Sequence, residues 1–296
     1  MRVDPALYPF EGRYFDRGGH RLHYLDEGQG PTVVMVHGNP SWSFYYRDLV
    51  LGLRGTHRCI VPDHIGCGLS DKPGDAEYQY TLASRVDDLD ALLAEVAPAG
   101  PVTLVLHDWG GAIGMGWAVK HTERVDRIVL LNTGAFPNPK AQKLPFGLWL
   151  ARNTALGTLL VRGFNAFSAG ATRMAVSKPM PRAVRSAYKA PYDSWANRIA
   201  TLRFVQDIPL GPQDPAFEVI NGIAAGLTGL RDKPMLICWG EGDFVFDSAF
   251  LAEWERRFPA AEVVRYADAG HYVLEDAGAE IIPRVRSFVG AALEEG

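Results

Sequence analysis

Short apolar runs alternate with segments of helical spacing through residues 1–133 and again through residues 231–296. The runs predict strands, because each is rich in β-branched and aliphatic residues and is bounded by turn residues. Residues 84–96 place apolar side chains at helical intervals, and a last helix is predicted over residues 279–293. The predicted strands are residues 21–26, 32–36, 59–62, 102–106, 128–131, 234–239 and 262–266. Strands that alternate with helices indicate the α/β class, a mostly parallel sheet covered by helices.

The alternation stops between residues 134 and 230, a stretch rich in Ala, Arg, Phe, Trp and Pro, whose pattern predicts several short helices. An insertion after a sheet strand lies over the strand ends, where open α/β sheets bind their ligands. We therefore predict a core of residues 1–133 and 231–296 and a helical cap of residues 134–230. Its large aromatic residues are expected mostly in the interior of the cap, with one or two at an apolar pocket: Trp149, Phe164, Phe167, Trp195 and Phe204.

The composition is that of a globular protein with ample core, at 47% hydrophobic and 22% charged residues. The acidic and basic residues behind the net charge of −4 are interspersed, so we expect no nucleic-acid partner. Three widely spaced cysteines, Cys59, Cys67 and Cys238, predict a reduced, cytoplasmic protein. We expect no secretory signal, because residues 1–15 lack a basic segment followed by an apolar one.

Residues 146–164 form the most apolar long stretch, but Arg152, Asn153 and Arg162 interrupt it. The stretch is therefore too polar to span a bilayer, and we expect no transmembrane segment. Peripheral association of this stretch with a membrane or a partner stays open. A cap helix that faces a pocket is the favoured interpretation.

The sequence around Asp108 has the pattern of a nucleophile elbow. A buried strand over residues 102–106 leads into a sharp turn and then into a helix of small residues, 110–120. Such a turn lifts one side chain above the end of the sheet. In most enzymes with this elbow the side chain is a serine, whereas here it is Asp108. A carboxylate that attacks carbon forms an alkyl ester or a mixed anhydride, which narrows the chemistry.

An anion site is indicated by His37-Gly38-Asn39-Pro40, which follows the strand over residues 32–36. The backbone N–H of Trp109 and one N–H of this loop would form an oxyanion hole. The side-chain amide of Asn39 and the indole N–H of Trp109 are further donors. Asn39 alone is also a common turn residue before a proline, but next to Asp108 we favour the donor role.

The base is predicted to be His271, in the loop between a late strand and the last helix. None of the seven other histidines occupies such a loop. The acid that orients the base is predicted to be Asp243, after the strand over residues 234–239. Glu241 and Asp247 are alternative candidates for this acid. Glu241 is expected in a solvated loop, and Asp247 is better explained as the N-cap of a helix over residues 248–258.

Other chemistries find no support in the sequence. The chain has no GxSxG motif, so a serine esterase is not expected. The glycine-rich loop over residues 63–71 lacks the GxxxxGK[ST] pattern of a phosphate cradle. With no HExxH and no Cys/His cluster, we expect neither a metal nor a cofactor.

The motifs together resemble the haloalkane dehalogenase branch of the α/β-hydrolases over nearly the whole chain. They are HGNP at 37–40, PDHIGCGLSDKP at 62–73, HDWGG at 107–111 and DAGH at 268–271. Asn39, Trp109 and Asp243 match the pattern of subfamily III, in which the acid follows the later strand. In some relatives the acid follows an earlier strand, a place that here reads Leu131-Asn132-Thr133-Gly134.

Within that branch, the stretch APYDSWANRIATLRFVQDIPL at 190–210 is similar to the β-lactone decarboxylases of bacterial olefin biosynthesis. The resemblance implies an α/β-hydrolase fold with an eight-stranded sheet, helices on both faces and a helical cap. It implies conversion of a long-chain cis-β-lactone to a cis-alkene and carbon dioxide. It also implies an assembly with the β-lactone synthetase and the reductase of that pathway.

Three alternatives stay open. A haloalkane dehalogenase would use the same triad with a water that His271 activates. An epoxide hydrolase would need two cap tyrosines, for which Tyr188 and Tyr192 have the spacing, although Pro191 interrupts their helix. A non-catalytic protein on the same scaffold is disfavoured, because all three triad residues are present.

Overall fold

Eight strands form one sheet in the computed structural model, which describes residues 3–140 and 144–290. They are β1 Arg13–Arg17, β2 His20–Glu27, β3 Thr32–Val36, β4 Arg58–Pro62, β5 Val102–Asp108, β6 Val125–Thr133, β7 Met235–Gly240 and β8 Glu262–Tyr266. Their spatial order is β1-β2-β4-β3-β5-β6-β7-β8. Strand β2 runs antiparallel to β1 and β4, and the other described pairings are parallel. The prediction of a mostly parallel eight-stranded sheet is confirmed.

Both faces of the sheet are covered, which explains why its central strands are apolar without interruption. Successive side chains of a strand point to opposite faces, so Val33 and Met35 of β3 join one hydrophobic cluster, while Val34 and Val36 join the other. The helices of the described residues are α1 Arg47–Leu53, α2 Leu82–Val96, α3 Trp109–Ala118, α4 Phe146–Asn153, α5 Ala155–Thr158, α6 Ala166–Met174, α7 Arg182–Lys189, α8 Ile199–Gln206, α9 Ala216–Gly226, α10 Ser248–Arg257 and α11 Val273–Gly290.

Residues of α2, α3, α9 and α10 pack in one of the two clusters, and residues of α1, α7 and α11 pack in the other. The sequence pattern does not predict α1, a helix of seven residues in which Gly52 lowers the helical propensity. The last helix starts earlier than predicted, at Val273, and Ala277 leaves helical geometry within it. Its predicted end at Leu293 lies outside the described residues.

Helices α4 to α9 lie between β6 and β7 in the chain, and we call residues 134–230 the β6–β7 segment. Its helices are short, and its own hydrophobic cluster is small: Ala151, Val161, Leu202 and Val205. The expectation that its aromatic residues lie mostly in the interior is wrong for three of five, since Trp149, Phe164 and Trp195 are exposed. Helices this short have too few neighbours to cover all sides, and Phe146, at 75%, is exposed as well.

Among the described residues, no helix is both long and apolar enough to cross a membrane. Within residues 146–164, apolar side chains line a cavity that is described below, among them Leu148, Leu150 and Leu160. Phe146 lines this cavity as well but is mostly exposed, and its ring stacks on that of the exposed Trp149 at 6.1 Å between ring centres.

Candidate active site

Asp108 stands on the turn between β5 and α3. Its φ of 52° lies in a region that residues other than glycine rarely adopt. The hydroxyl of Thr133, at the end of β6, donates to the carbonyl of Asp108 at 2.5 Å and fixes the turn from the neighbouring strand. Strained backbone of this kind persists only where the surrounding structure holds it in place, and it is concentrated at functional sites.

Two glycines let the turn pack closely on the sheet. A Cβ atom at Gly110 would overlap the carbonyl oxygen of Val36, and one at Gly111 would overlap the hydroxyl of Thr133. Any larger residue would push α3 away from β3 and β6. The small residues after Asp108 thus hold the turn against the ends of these two strands.

The carboxylate of Asp108 is buried and is held through both oxygens. Oδ1 accepts the backbone N–H of Asn39 at 2.7 Å, and Oδ2 lies 3.2 Å from Nε2 of His271. Burial alone would raise the pKa of Asp108, but the hydrogen bond and charge of His271 outweigh it and hold this pKa below its usual range. Asp108 is therefore an oriented anion at neutral pH, as a nucleophile requires.

His271 joins the two carboxylates. Its Nδ1 lies 2.8 Å from Oδ2 of Asp243, while its Nε2 faces Asp108. Burial opposes the charged imidazolium, yet the two carboxylates outweigh burial and raise the pKa of His271 to about 10. Oδ1 of Asp243 accepts the backbone N–H groups of Val245 at 2.7 Å and Phe246 at 3.1 Å, which fixes the acid. The structure thus brings together the three residues that the sequence placed after three different strands.

Asn132 contacts Asp243, the predicted acid, and the sequence analysis missed this contact. It lies at the end of β6 with a φ of 39°. Its side-chain Nδ2 donates to Oδ2 of Asp243 at 3.1 Å and to the carbonyl of Gly240 at 2.9 Å, and its Oδ1 accepts the N–H of Gly240 at 2.7 Å. The sequence offered one signal, because this is the place where some relatives carry the acid itself.

His107 contacts His271, the predicted base, which the sequence analysis did not foresee. Its Nε2 lies 2.8 Å from the carbonyl oxygen of His271, and its ring stacks on Tyr45 at 4.2 Å between centres. Burial and the nearby His271 lower the pKa of His107 to about 3, so the ring stays neutral. A neutral His107 donates to the His271 carbonyl without placing a second cation beside the base.

The two predicted anion donors, Asn39 and Trp109, line the same cavity as Asp108. The amide Nδ2 of Asn39 donates to the carbonyl of Thr201 at 3.0 Å, which ties it to α8 and leaves its second N–H for a ligand. The indole of Trp109 packs on Phe204 at 5.4 Å, and the guanidinium of Arg85 lies 3.6 Å behind that phenyl ring. Their role as anion donors stays a prediction.

The rival residues have other partners. Glu241 is exposed, and Asp247 caps α10 by accepting the N–H of Ala249 at 2.8 Å, as predicted. The hydroxyl of Tyr188 donates to Glu275 at 2.5 Å, and that of Tyr192 donates to the carbonyl of Ser41 at 3.1 Å. Neither tyrosine lines the cavities at Asp108, so the geometry does not support activation of an epoxide oxygen.

Two apolar cavities meet at Asp108. The larger, of about 500 Å³, runs between α4, α5 and α6 of the β6–β7 segment, and its polar groups gather at one end around Asp108 and His271. The smaller, of about 260 Å³, runs between α3, α9 and α10. Walls of this kind bind hydrocarbon, while the polar groups at one point fix the reacting atoms.

The profile of the alpha/beta hydrolase fold matches residues 31–278 of the chain. A cis-3-alkyl-4-alkyloxetan-2-one decarboxylase of Shewanella oneidensis is 57% identical over 96% of this chain and 90% of its own length. Another of the same name, from Xanthomonas campestris pv. campestris, is 51% identical over 95% of this chain and 97% of its own length. A haloalkane dehalogenase of Mycobacterium bovis is 32% identical over 93% of each chain.

Solved structures show the same fold. A haloalkane dehalogenase from Bradyrhizobium elkani superposes with a TM-score of 0.86 over 97% of this chain and 99% of its own, at 24% identity. At that identity the likeness concerns the fold alone.

Proposed function

The chain is an enzyme of the alpha/beta hydrolase fold family and belongs with the cis-3-alkyl-4-alkyloxetan-2-one decarboxylases, and we propose that it decarboxylates these β-lactones to cis-alkenes. An oxetan-2-one is a four-membered lactone, and loss of its carbon dioxide leaves a double bond between the two carbons that carry the alkyl groups. In this proposal Asp108 is the nucleophile, and His271 and Asp243 hold it in place.

The observation that carries the proposal is the 57% identity to a decarboxylase over 96% of the chain, against 32% to a dehalogenase. The match covers the β6–β7 segment, whose helices form most of the larger cavity. Triad residues are shared across the fold, whereas cavity walls differ with the substrate. The higher identity to the decarboxylase, over a match that includes these walls, therefore supports a shared substrate class.

The triad geometry is compatible with a reaction that consumes no water. In one route Asp108 attacks the ring carbon that bears the ring oxygen, a C–O bond breaks, and the electron pair stays on the released carboxylate. The C–C bond to that carboxylate then breaks, its electron pair forms the alkene, and the ester bond to Asp108 breaks to restore the aspartate. Atoms and charge balance with no added proton.

In a second route Asp108 attacks the carbonyl carbon, the bond from that carbon to the ring oxygen breaks, and a mixed anhydride and an alkoxide result. The alkoxide then attacks the carboxyl carbon of Asp108, which releases the substrate carboxylate and gives the same ester as the first route, with no water consumed. Both routes place negative charge on an oxygen that leaves the carbon under attack. The remaining N–H of Asn39 and the indole N–H of Trp109 are the donors that would stabilise it.

Hydrolytic dehalogenation is the second candidate function. It is supported by the 32% identity to a haloalkane dehalogenase. It begins with the same attack by Asp108 but then needs water that a neutral His271 activates. The raised pKa of His271 keeps this ring protonated in the free enzyme. Formation of an ester at Asp108 would remove its negative charge and so lower the pKa of His271. The neutral ring could then activate water, so the protonation of His271 in the free enzyme does not exclude hydrolysis. Only the substrate distinguishes the two candidate functions.

The test compares two substrates on one purified protein. Wild type should convert a long-chain cis-β-lactone to alkene, measured by gas chromatography, and should release little halide from 1-bromobutane. Asp108→Ala should lower alkene formation by at least about 10⁴-fold, because no other group replaces the nucleophile.

Glu241→Ala is the matched control, since it removes an exposed carboxylate from the loop that carries Asp243. It should turn over the lactone like wild type. Alkene formation by Asp108→Ala would contradict the mechanism, and halide release without alkene by wild type would assign the chain to the second candidate.

Partners and location belong to the proposal as well. An upstream enzyme must close the strained ring, and the resemblance names a β-lactone synthetase and a reductase, with which we propose that the chain assembles. The three cysteines are free and buried, which supports a cytoplasmic location. The exposed Phe146, Trp149 and Phe164 are the surface through which a partner or a lipid layer would deliver the substrate.

A further inference from the structure

The two cavities share Asp108 and Trp109, although they extend into different parts of the protein. Five further residues line both and form the boundary between them: Pro145, Leu148, Ile208, Phe244 and Val245. Phe244 is half-exposed, so the boundary lies close to the surface. A ligand whose reacting atoms lie at Asp108 can therefore extend in two directions.

The walls beyond this boundary do not overlap. In the larger cavity they come mostly from residues 146–175 of the β6–β7 segment and include Leu160, Phe167 and Gly170. In the smaller they include Phe136 and Ile220, which lie near the two ends of the same segment, and Phe250 of α10. These residues are apolar, although Asn138 and Asp247 add polar groups to the smaller cavity, so each cavity can remove hydrocarbon from water independently of the other.

The shape of the proposed substrate matches this division. A 3-alkyl-4-alkyloxetan-2-one carries its chains on two adjacent ring carbons, and the reacting ring lies between them. A substrate with one chain, such as a simple haloalkane, would fill one cavity and leave the other empty. Burial of both chains requires two apolar spaces that meet at the nucleophile.

We infer that the two alkyl chains of the lactone lie in separate cavities, the longer chain in the cavity of about 500 Å³ and the other in the cavity of about 260 Å³. This inference rests on the proposed function. Asp108 must reach a particular ring carbon, so the orientation of the ring fixes which carbon directs its chain into which cavity. The enzyme therefore distinguishes two lactones that differ only in which carbon carries the longer chain.

The experiment uses two cis-β-lactones of equal composition, one with a long chain on C3 and a short chain on C4, the other reversed. The measured quantity is the ratio of their kcat/KM values for alkene formation. Gly170→Leu fills the larger cavity, since a Cβ atom at Gly170 meets only the sulfur of Met174, at 4.0 Å. It should shift the ratio by about tenfold or more against the isomer whose long chain occupies that cavity.

Ile220→Phe narrows the smaller cavity and should shift the same ratio in the opposite direction. Phe250→Ala widens the smaller cavity and should favour the isomer whose long chain occupies that cavity. The ratio should therefore shift in the same direction as with Gly170→Leu. This second variant of the smaller cavity removes atoms from a half-buried ring and keeps the test decisive if Ile220→Phe does not fold. Gly222→Leu is the matched control, because it makes the same change at an exposed glycine of α9 that lines neither cavity.

Opposite shifts from the two cavities, with the control ratio equal to that of wild type, support the inference. Shifts in the same direction for Gly170→Leu and Ile220→Phe, or no shift in either, overturn it, because both chains would then share one space. Absence of alkene from both isomers with wild type is a different result and contradicts the proposed function itself.

Discussion

The loops at the strand ends and the β6–β7 segment contribute to one cavity in opposite ways. In the loops, Asp108, Asp243 and His271 are buried, and hydrogen bonds hold each of them from two or more sides. In the segment, apolar side chains line the cavity on one side and lie in solvent on the other. The difference teaches that one region fixes the reacting atoms and the other selects the hydrocarbon around them. Changes in the loops should affect every substrate equally, and changes in the segment should depend on the substrate.

The largest effect is expected from Asp243→Asn in the loops. Asp243→Asn replaces one of the two carboxylates that keep His271 charged with a neutral amide, so the pKa of His271 falls and the ring no longer holds Asp108 in place as a cation. We expect kcat to fall by about 10²- to 10³-fold for lactones of every chain length, as measured in steady-state assays. A fall in kcat that varied with chain length would contradict the difference drawn between the loops and the β6–β7 segment.

A smaller effect should appear in the pH dependence of stability. His271 has its pKa raised from 6.5 to about 10 in the folded protein, so the folded state holds a proton that the unfolded state releases. Its stabilisation is full below pH 6.5 and declines by about 1.4 kcal/mol per pH unit as the pH rises towards 10.

The measurement compares urea unfolding of wild type and His271→Gln at several values between pH 7 and 10. The difference in their free energies of unfolding should shrink as the pH rises. A constant difference would show that the charge of His271 is not held by the two carboxylates, and would weaken the contrast between the two regions.

The smallest effect is expected in the β6–β7 segment. Leu160 lies in a turn of π-helix, Leu159–Gly163, and lines the larger cavity. Leu160→Ala removes wall surface and should raise KM for a long-chain lactone by about three- to tenfold. Competition assays with lactones of graded length would measure it, and an equal fall in kcat for all lengths would assign Leu160 to the chemistry instead.

Much of the site could be predicted from the sequence because each of its residues belongs to a local motif at a strand end. Asp108 follows β5, Asp243 follows β7, and His271 lies between β8 and α11, and parallel strands bring such ends to one edge. Asn132 and His107 could not be placed in the same way. Their partners lie 111 and 164 positions away in the chain, and only the folded sheet shows that they meet.

The β6–β7 segment was less accessible to prediction for another reason. Its short helices carry apolar residues on more than one side, so periodicity does not distinguish a cavity wall from an exposed face. Phe167 lines the larger cavity, whereas Phe164 is 71% exposed. Nor does any sequence signal show that two cavities meet at Asp108, because their walls come from distant parts of the chain.

Asn132 shows how the acid of such a site can change strands. It occupies the place where some relatives carry the acid, and it shares one oxygen of Asp243 with His271, at 3.1 Å and 2.8 Å. A lineage that acquired a carboxylate at position 132 before losing the one at 243 would pass through an intermediate with both. The histidine would keep an anionic neighbour at every step, so the acid can move from one strand to the next through single substitutions without an inactive ancestor.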